Sequence, residues 1–494
     1  MNFKLSFVFT IFFVGVSIAQ NGNPNDYLSA QFHKEKREAL RAKMPNNSVA
    51  VFFSNPIRNR ANDVDFIYHQ DPDFYYLTGY KEPNSVLVIF SNNQTNKDGK
   101  SFHELLYVQE KNPREEQWTG VRLGTEGAKK ELGFENAFNG AAFLNSEIDY
   151  ASFGTLFFKE LEDDTRNSKN EKADLYKLIG AFKSEIGYNE KVKPQMDLNV
   201  QNEINAKKSV TSKKATINTK SILTFMASLR EKKSKEELVL LTKAVRISAM
   251  GQREIMKAMH PGMSETEIQG IHEFVYKKYG SEFEGYPSIV GAGNNGCVLH
   301  YIENSKMKVE NDLVLMDLGA EYHGYTADVT RTIPANGKFS LEQKQIYDLV
   351  YEAQEVGIAA AKIGNSFNAP DAAARKIISV GLVKLGIIKT EQESRKYFPH
   401  GTSHHIGLDV HDPGLYNAFE ADMVVTVEPG IYIPIGSDCD KKWWGIAVRI
   451  EDDILITTNG PVNLSVEAPR KSNEIEVLMN EKSVLDTFSV PSLD

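Results

Sequence analysis

The stretch MDLGAEYHGYTADVTRT, residues 316–332, carries two aspartates on either side of a glycine-marked reversal. The apolar run Leu313-Val-Leu-Met runs straight into Asp317, Glu-Tyr-His follow between Gly319 and Gly324, and Asp328 stands on the return. On one straight strand, residues at this odd spacing would face opposite sides. A hairpin through the glycines instead lays LVLMDLG beside YTADVTRT and lets both aspartates reach one point. Taken alone, an isolated pair at this spacing reads as two turn aspartates. The apolar strand leading into Asp317 argues otherwise, because a carboxylate set so deep needs a partner.

Two further stretches supply partners of the right chemistry. HGTSHHIGLDVHD, residues 400–412, holds His400, His404, His405 and His411 among glycines and aspartates. Glu428 ends the apolar run MVVTVE directly before Pro429-Gly430, and Glu451 ends AVRIE in the same manner. Acids at strand ends beside a chain reversal are well placed to project into a cleft from a rigid scaffold. Asp317, Asp328, His404, Glu428 and Glu451 together form the ligand set expected for two neighbouring divalent cations with a bridging water. Four carboxylates offset four positive charges; without metal they would repel one another, and some would take up protons. Hard oxygen donors favour Mn²⁺, with Co²⁺, Zn²⁺ and Fe²⁺ left open. Such a centre implies hydrolysis.

Around this set the chain shows a weak internal duplication. Ser234-Lys-Glu-Glu237 reads as a capping box opening a long helix, Pro261-Gly262 ends it, and Ser264-Glu-Thr-Glu267 opens a second. Ser340-Leu-Glu-Gln343 then caps a helix through Lys362, Gly364 ends it, and another helix is expected over Asp371–Leu385. Each pair leads into apolar, glycine-punctuated strand segments, so the order helix, break, helix, strands occurs twice. Upstream, Asn46–Phe90 alternates VAVFF, FYYLTGY and SVLVIF with turn residues, the strand-and-turn pattern of a separate α/β domain. Between about Glu160 and Lys220 the composition shifts to Lys, Asn, Glu and Ser, which reads as a solvated, partly mobile linker.

The 494 residues imply two to three domains, and a net charge of −9 argues against a nucleic-acid partner. Lys4, the apolar run Leu5–Val16 and the small residues Ser17 and Ala19 make a signal peptide with cleavage after Ala19, so the protein is expected to be exported, periplasmic or secreted. No later apolar segment is long enough to span a membrane. Cys297 and Cys439 are expected as free or buried thiols, since a core this large needs no disulfide.

The motifs SIVGAGNNGCVLHYIEN (288–304), MDLGAEYHGYTADVTRT, FPHGTSHHIGLDVHD (398–412), VTVEPGIYI (425–433) and GIAVRIEDDI (445–454) closely resemble, in order and spacing, those of the Xaa-Pro aminopeptidases. These belong to the pita-bread metallopeptidases, with prolidase, methionine aminopeptidase and creatinase. YHQDPDFYYLTGYKEPNSVLVIF (68–90) and PREEQWTGVRLG (113–124) resemble that family's smaller N-terminal domain. The resemblance implies an α/β (α+β) protein: a signal peptide (1–19), an N-terminal domain with the Lys-rich linker (20–220), and a pita-bread catalytic domain (221–485) whose pseudo-two-fold symmetry explains the duplication.

The resemblance also implies roles. Asp317 and Asp328 match a bidentate and a bridging ligand, His404 the imidazole ligand, Glu451 a second bridging carboxylate, and Glu428 a ligand that doubles as general base. His300 matches a histidine near the scissile carbonyl, His411 one that stabilises the tetrahedral intermediate, and His400 one lining the proline pocket. Arg449 and Tyr432 match residues that orient the ligands, Arg449 within the catalytic set and Tyr432 with His400 on the substrate side. His405 stands where relatives often carry a bulky aromatic, a departure expected to alter the pocket beside the metals. The implied reaction is attack of metal-bridged hydroxide on the Xaa-Pro bond of peptides with proline second, in a homodimer or homotetramer. A prolidase confined to Xaa-Pro dipeptides is the alternative on this scaffold, and a non-catalytic pita-bread binding protein a more distant one.

Overall fold

A computed structural model describes residues 26–161, 165–168, 171–188 and 215–487. The signal-peptide expectation for residues 1–19 lies outside them. Among the described residues no helix is long and apolar enough to cross a membrane, and Cys297 and Cys439 are free thiols.

The N-terminal part is built on a six-stranded mixed sheet in the order Ala137–Asn139, Ser101–Val108, Val86–Thr95, Ser48–Phe53, Thr155–Phe157, Thr216–Asn218. Period-two alternation gives its central strand two buried faces. Val49 and Val51 pack with Leu178 and Phe182, while Ala50 and Phe52 join a core shared with the helix Ala30–Lys43 and with Leu240, Leu241 and Ala244 of the catalytic part. The sheet is therefore welded to its neighbour through its own inner face.

Two expectations for this half are corrected. FYYLTGY is not a strand: Pro72–Thr78 is a short helix capped by Asp71, whose side chain accepts from the Phe74 N–H, and closed by Gly79 at φ 70°. Its aromatic residues are buried on every side, which imitates a strand composition. The supposed linker is not wholly solvated either. Leu175–Ile186 forms a helix that buries Leu175, Leu178, Ile179 and Phe182, and Thr216–Asn218 adds the edge strand. Four apolar residues at helical spacing suffice to dock a helix otherwise made of polar residues.

In the catalytic half the duplicated pattern appears as two antiparallel-packed helix pairs, Lys235–Ala258 with Glu265–Lys278 and Leu341–Ala360 with Ala369–Lys384. Ser234/Glu237 and Ser340/Gln343 make full capping boxes, whereas Ser264 supplies the hydroxyl cap to the Glu267 N–H. Inside the pairs lie short antiparallel ribbons: Ile289–Ala292, Leu313–Asp317 and Thr330–Pro334; Val424–Val427 with Asp452–Thr457; and Gly430–Ile433 with Ile446–Arg449. Both helix pairs share one apolar core with the first and third of these ribbons, while Val425, Val427, Ile454 and Ile456 of the second pack with Phe367 and Phe419 in a smaller one.

Candidate active site

The hairpin expected for residues 313–332 is present. Asp317 pairs in register with Thr330, and the chain reverses at His323 and Gly324, with φ of 51° and 89°. Gly319 is needed for close approach, since a Cβ there would stand 2.0 Å from the Ala327 carbonyl oxygen. Glu428 follows the strand Val424–Val427, and its N–H donates to the Thr402 carbonyl at 2.9 Å. Glu451 links two strands, donates its N–H to the Thr330 carbonyl at 3.1 Å and receives the Thr330 hydroxyl on Oε2 at 2.6 Å.

His404 is fixed by exchange with Thr426: its N–H donates to Thr426 Oγ1 at 3.1 Å, and the Thr426 N–H returns to its carbonyl at 3.0 Å. Nδ1 faces the His405 carbonyl at 3.0 Å, so that nitrogen carries hydrogen and Nε2 points inward. Nε2 lies 3.4 Å from Asp328 Oδ2 and 3.5 Å from Glu428 Oε1. Ligand atoms of Asp328, His404 and Glu451 all fall within 4.8 Å of one another. The sequence-nominated five are thus gathered from three segments into one cavity of about 310 Å³, which Asp317, Glu428, His300, His400, His411 and Arg449 also line.

Electrostatics show what this crowding costs. Burial, then the charge of Asp317, pushes the Asp328 carboxyl up to about 6. Burial raises Glu428 to about 7 although His404 pulls the other way. Glu451 is driven well above the usual carboxylate range by burial and by Asp328, Glu428 and Asp317. Asp317 alone goes down: burial would raise it, but its ion pair with Arg449 prevails. His404 is lifted to about 9, its burial outweighed by Asp328 and Glu428. Four buried carboxylates therefore face one arginine and one imidazole, and protons make up the difference. Divalent cations fit this donor set, because they supply the positive charge that the side chains lack.

Arg449 is itself held in a fork. Nη1 donates to Tyr432 Oη at 3.0 Å, Nε to Thr330 Oγ1 at 3.1 Å, and Nη2 pairs with Asp317 Oδ2. Tyr432 is buried and does not line the cavity, which corrects its placement on the substrate side. Its hydroxyl bridges Arg449 to His400 Nε2 at 2.8 Å, so it acts behind both. His405 is likewise corrected. It points away from the cavity, fully buried, with Phe367 at 4.8 Å and Tyr416 at 5.1 Å between ring centres. A histidine there alters the packing behind the site and not the pocket wall.

Several participants escaped the sequence reading. Tyr286 donates its hydroxyl between Asp317 Oδ1 and Asp328 Oδ1, 2.5 Å from each. Asp453 receives the Asp328 N–H at 3.0 Å. Arg375 holds the His400 carbonyl at 2.8 Å. Gln252 and Gln354 reach in from the two long helices. The Gly-Tyr-Pro turn at 285–287 was the one available signal among these.

Residues 239–458 match the model of metallopeptidase family M24, and residues 33–148 that of the aminopeptidase P N-terminal domain. Over 464 residues the chain is 34% identical to the Xaa-Pro aminopeptidase of Escherichia coli strain K12, covering 92% of this chain and 98% of that one. Xaa-Pro aminopeptidase 3 of Homo sapiens is 30% identical over 447 residues, covering 88% and 82%. The solved structure of E. coli aminopeptidase P with the inhibitor Pro-Leu aligns with a TM-score of 0.78 at 32% identity, over 92% of this chain and 98% of that one.

Proposed function

The chain belongs to the Xaa-Pro aminopeptidases of metallopeptidase family M24 and is a hydrolase; from that premise we propose that it releases the first residue of peptides whose second residue is proline, using two divalent cations, Mn²⁺ foremost. The observation that carries this reading is the convergence of Asp328, His404 and Glu451, with Asp317 and Glu428 beside them. Asp317, Asp328, His404, Glu428 and Glu451 would hold the cations. When bound, the pair supplies an acidified water and polarises the scissile carbonyl.

The remaining chemistry belongs to side chains. Glu428 stands at the edge of the donor set, Oε1 3.5 Å from His404 Nε2, where its carboxyl can accept a proton and pass it on in one turnover. The recipient is the proline nitrogen, which has no N–H and leaves only when protonated. His300 and His411 line the cavity and can donate to the negative charge that develops on the carbonyl oxygen. His411 approaches His404 edge-on, with ring centres 4.5 Å apart. His400, anchored by Tyr432 and by the Gly401 carbonyl, offers a fixed neutral ring as a wall for proline; burial lowers it to about 4. Arg449, clamped by Tyr432 and Thr330, keeps Asp317 ionised and oriented.

The same proposal includes export directed by Lys4 and the apolar run Leu5–Val16, and assembly as a homodimer or homotetramer. The test is hydrolysis by chelator-stripped protein to which Mn²⁺ is returned. Xaa-Pro-Pro tripeptides should be cleaved after the first residue. Cleavage of Xaa-Pro dipeptides alone would replace the reading by a prolidase, and inactivity with every divalent ion would overturn it.

A further inference from the structure

A second cavity, of about 230 Å³, opens between the two halves of the molecule. Its walls from the N-terminal side include Tyr27, Tyr75 and Lys81; from the catalytic side they include Glu282, Phe283 and Leu408. Leu408 walls this cavity, and His411, three residues on, walls the catalytic one. One turn of the His-rich loop thus separates the two. Gly324 lines the second cavity, where a Cβ would lie 3.1 Å from Leu408 Cδ2 and 3.3 Å from Tyr75 Cε1.

The charges here are matched with one exception. Glu321 receives His69 Nε2 on both oxygens at 2.9 Å. Glu282 pairs with His323 Nδ1 at 2.5 Å, and His323 Nε2 reaches Asp26 at 2.9 Å. Tyr27 stacks on His323 with ring centres 3.7 Å apart. On the opposite side of that sandwich, the Lys81 ammonium lies 3.5 Å from the centre of the Tyr27 ring. Among the described residues no carboxylate lies within ion-pair distance of Lys81. The cavity therefore offers aromatic faces and one cation without an ion pair, on which Glu282 acts only at longer range.

We propose that this cavity receives the far end of the peptide being cleaved: a bulky apolar C-terminal residue among Tyr27, Tyr75 and Phe283, with its terminal carboxylate on Lys81. This rests on the peptidase reading and extends it, because it makes the enzyme select for oligopeptides long enough to cross the Leu408–His411 turn. Aromatic walls suit an apolar side chain, and a cation over an aromatic face suits a carboxylate that approaches from the open side.

The test uses full-length metal-loaded enzyme, its Lys81→Gln and Tyr27→Ala variants, and an Xaa-Pro peptide series from tripeptide to octapeptide ending in phenylalanine. Neither residue touches the catalytic cavity, so tripeptide turnover should stay unchanged in both variants. For wild type, KM should step down at one length; both variants should lose that step, raising KM about fivefold for longer peptides. C-terminal amidation should reproduce the Lys81→Gln loss and leave that variant indifferent. A flat length dependence in wild type, or equal losses on tripeptide and octapeptide, would overturn the subsite while the peptidase reading stands. Failure of wild type on the tripeptide would strike the peptidase reading instead. Anisotropy of a fluorescent octapeptide on wild type and Lys81→Gln then decides the subsite: weaker binding to the variant supports it, and equal binding overturns it.

Discussion

Gln252 and Gln354 occupy equivalent places in the two halves of the catalytic domain. Gln252 Nε2 donates to the carbonyls of Met316 and Val329, the residues just before Asp317 and just after Asp328. Gln354 Nε2 donates to the carbonyl of Val427 and to Asp452 Oδ2, the residues just before Glu428 and just after Glu451. Both glutamines are fully buried on the long helix of their pair. Each thus pins two candidate ligands at once. Replacing either by leucine should lower divalent-metal affinity by about 10–100-fold while circular dichroism stays unchanged. Calorimetric titration of the stripped proteins with Mn²⁺ checks this; unchanged affinity in both would refute the pinning role.

Asp328→Asn and Glu428→Ala should each abolish peptide hydrolysis and leave the fold intact. For Glu428, loss of the proton relay alone accounts for about 10²–10⁴-fold. Near-normal activity in either purified variant, with native circular dichroism, would overturn the site assignment.

Metal uptake should release protons. In the metal-free protein Asp328 and Glu428 are raised to about 6 and about 7, Glu451 is raised further, and His404 stands at about 9. At neutral pH the imidazole and part of the carboxylate set therefore carry protons that a cation must displace. The sign follows: apparent affinity climbs as pH rises toward 9 and falls steadily below neutrality. Calorimetry at pH 7 in two buffers of different ionisation heat should show more than one proton released per protein at saturation. No net release would contradict the charge picture.

A chain of ions, buried except for the part-exposed Lys159, ties the N-terminal domain to the loop that carries His411. Lys159 contacts Asp73 at 2.7 Å; Arg230 joins Asp73 at 2.7 Å and Asp412 at 2.5 Å; Lys233 closes on Asp412 at 3.0 Å. Asp73→Ala removes the carboxylate shared by Arg230 and Lys159, leaves each with one partner, Asp412 and Asp71, and should cost about 1–3 kcal/mol in a urea melt. A shift below about 1 kcal/mol would mean that water reaches these groups.

Much of this site was legible because its carboxylates end apolar strands. The pattern around Asp317, Glu428 and Glu451 is local, and the glycines that force the 319–324 reversal are local too. The glutamines were invisible for the opposite reason. Gln is an ordinary helix residue, and only the packing of a distant ribbon turns its amide inward. Tyr286 stands in a turn, where no periodicity reports direction. His405 and Tyr432 were misplaced because neighbours in sequence, such as His404 and His405, face opposite ways along an extended chain. The helix Leu175–Ile186 escaped notice because its buried face is narrow within a polar composition.

The division of the donors has a consequence for how the molecule comes into being. Asp317 and Asp328 belong to the first repeat, His404, Glu428 and Glu451 to the second, and the bond from the Glu451 N–H to the Thr330 carbonyl is a seam between them. Neither repeat alone can assemble the donor set, and pairing residues so far apart along the chain is a slow, late event. During synthesis the cluster of acids cannot form until the last strands have left the ribosome. Capture of a cation is thereby a signature of completed folding, and a chain truncated before Glu451 would carry most of the fold and no working centre.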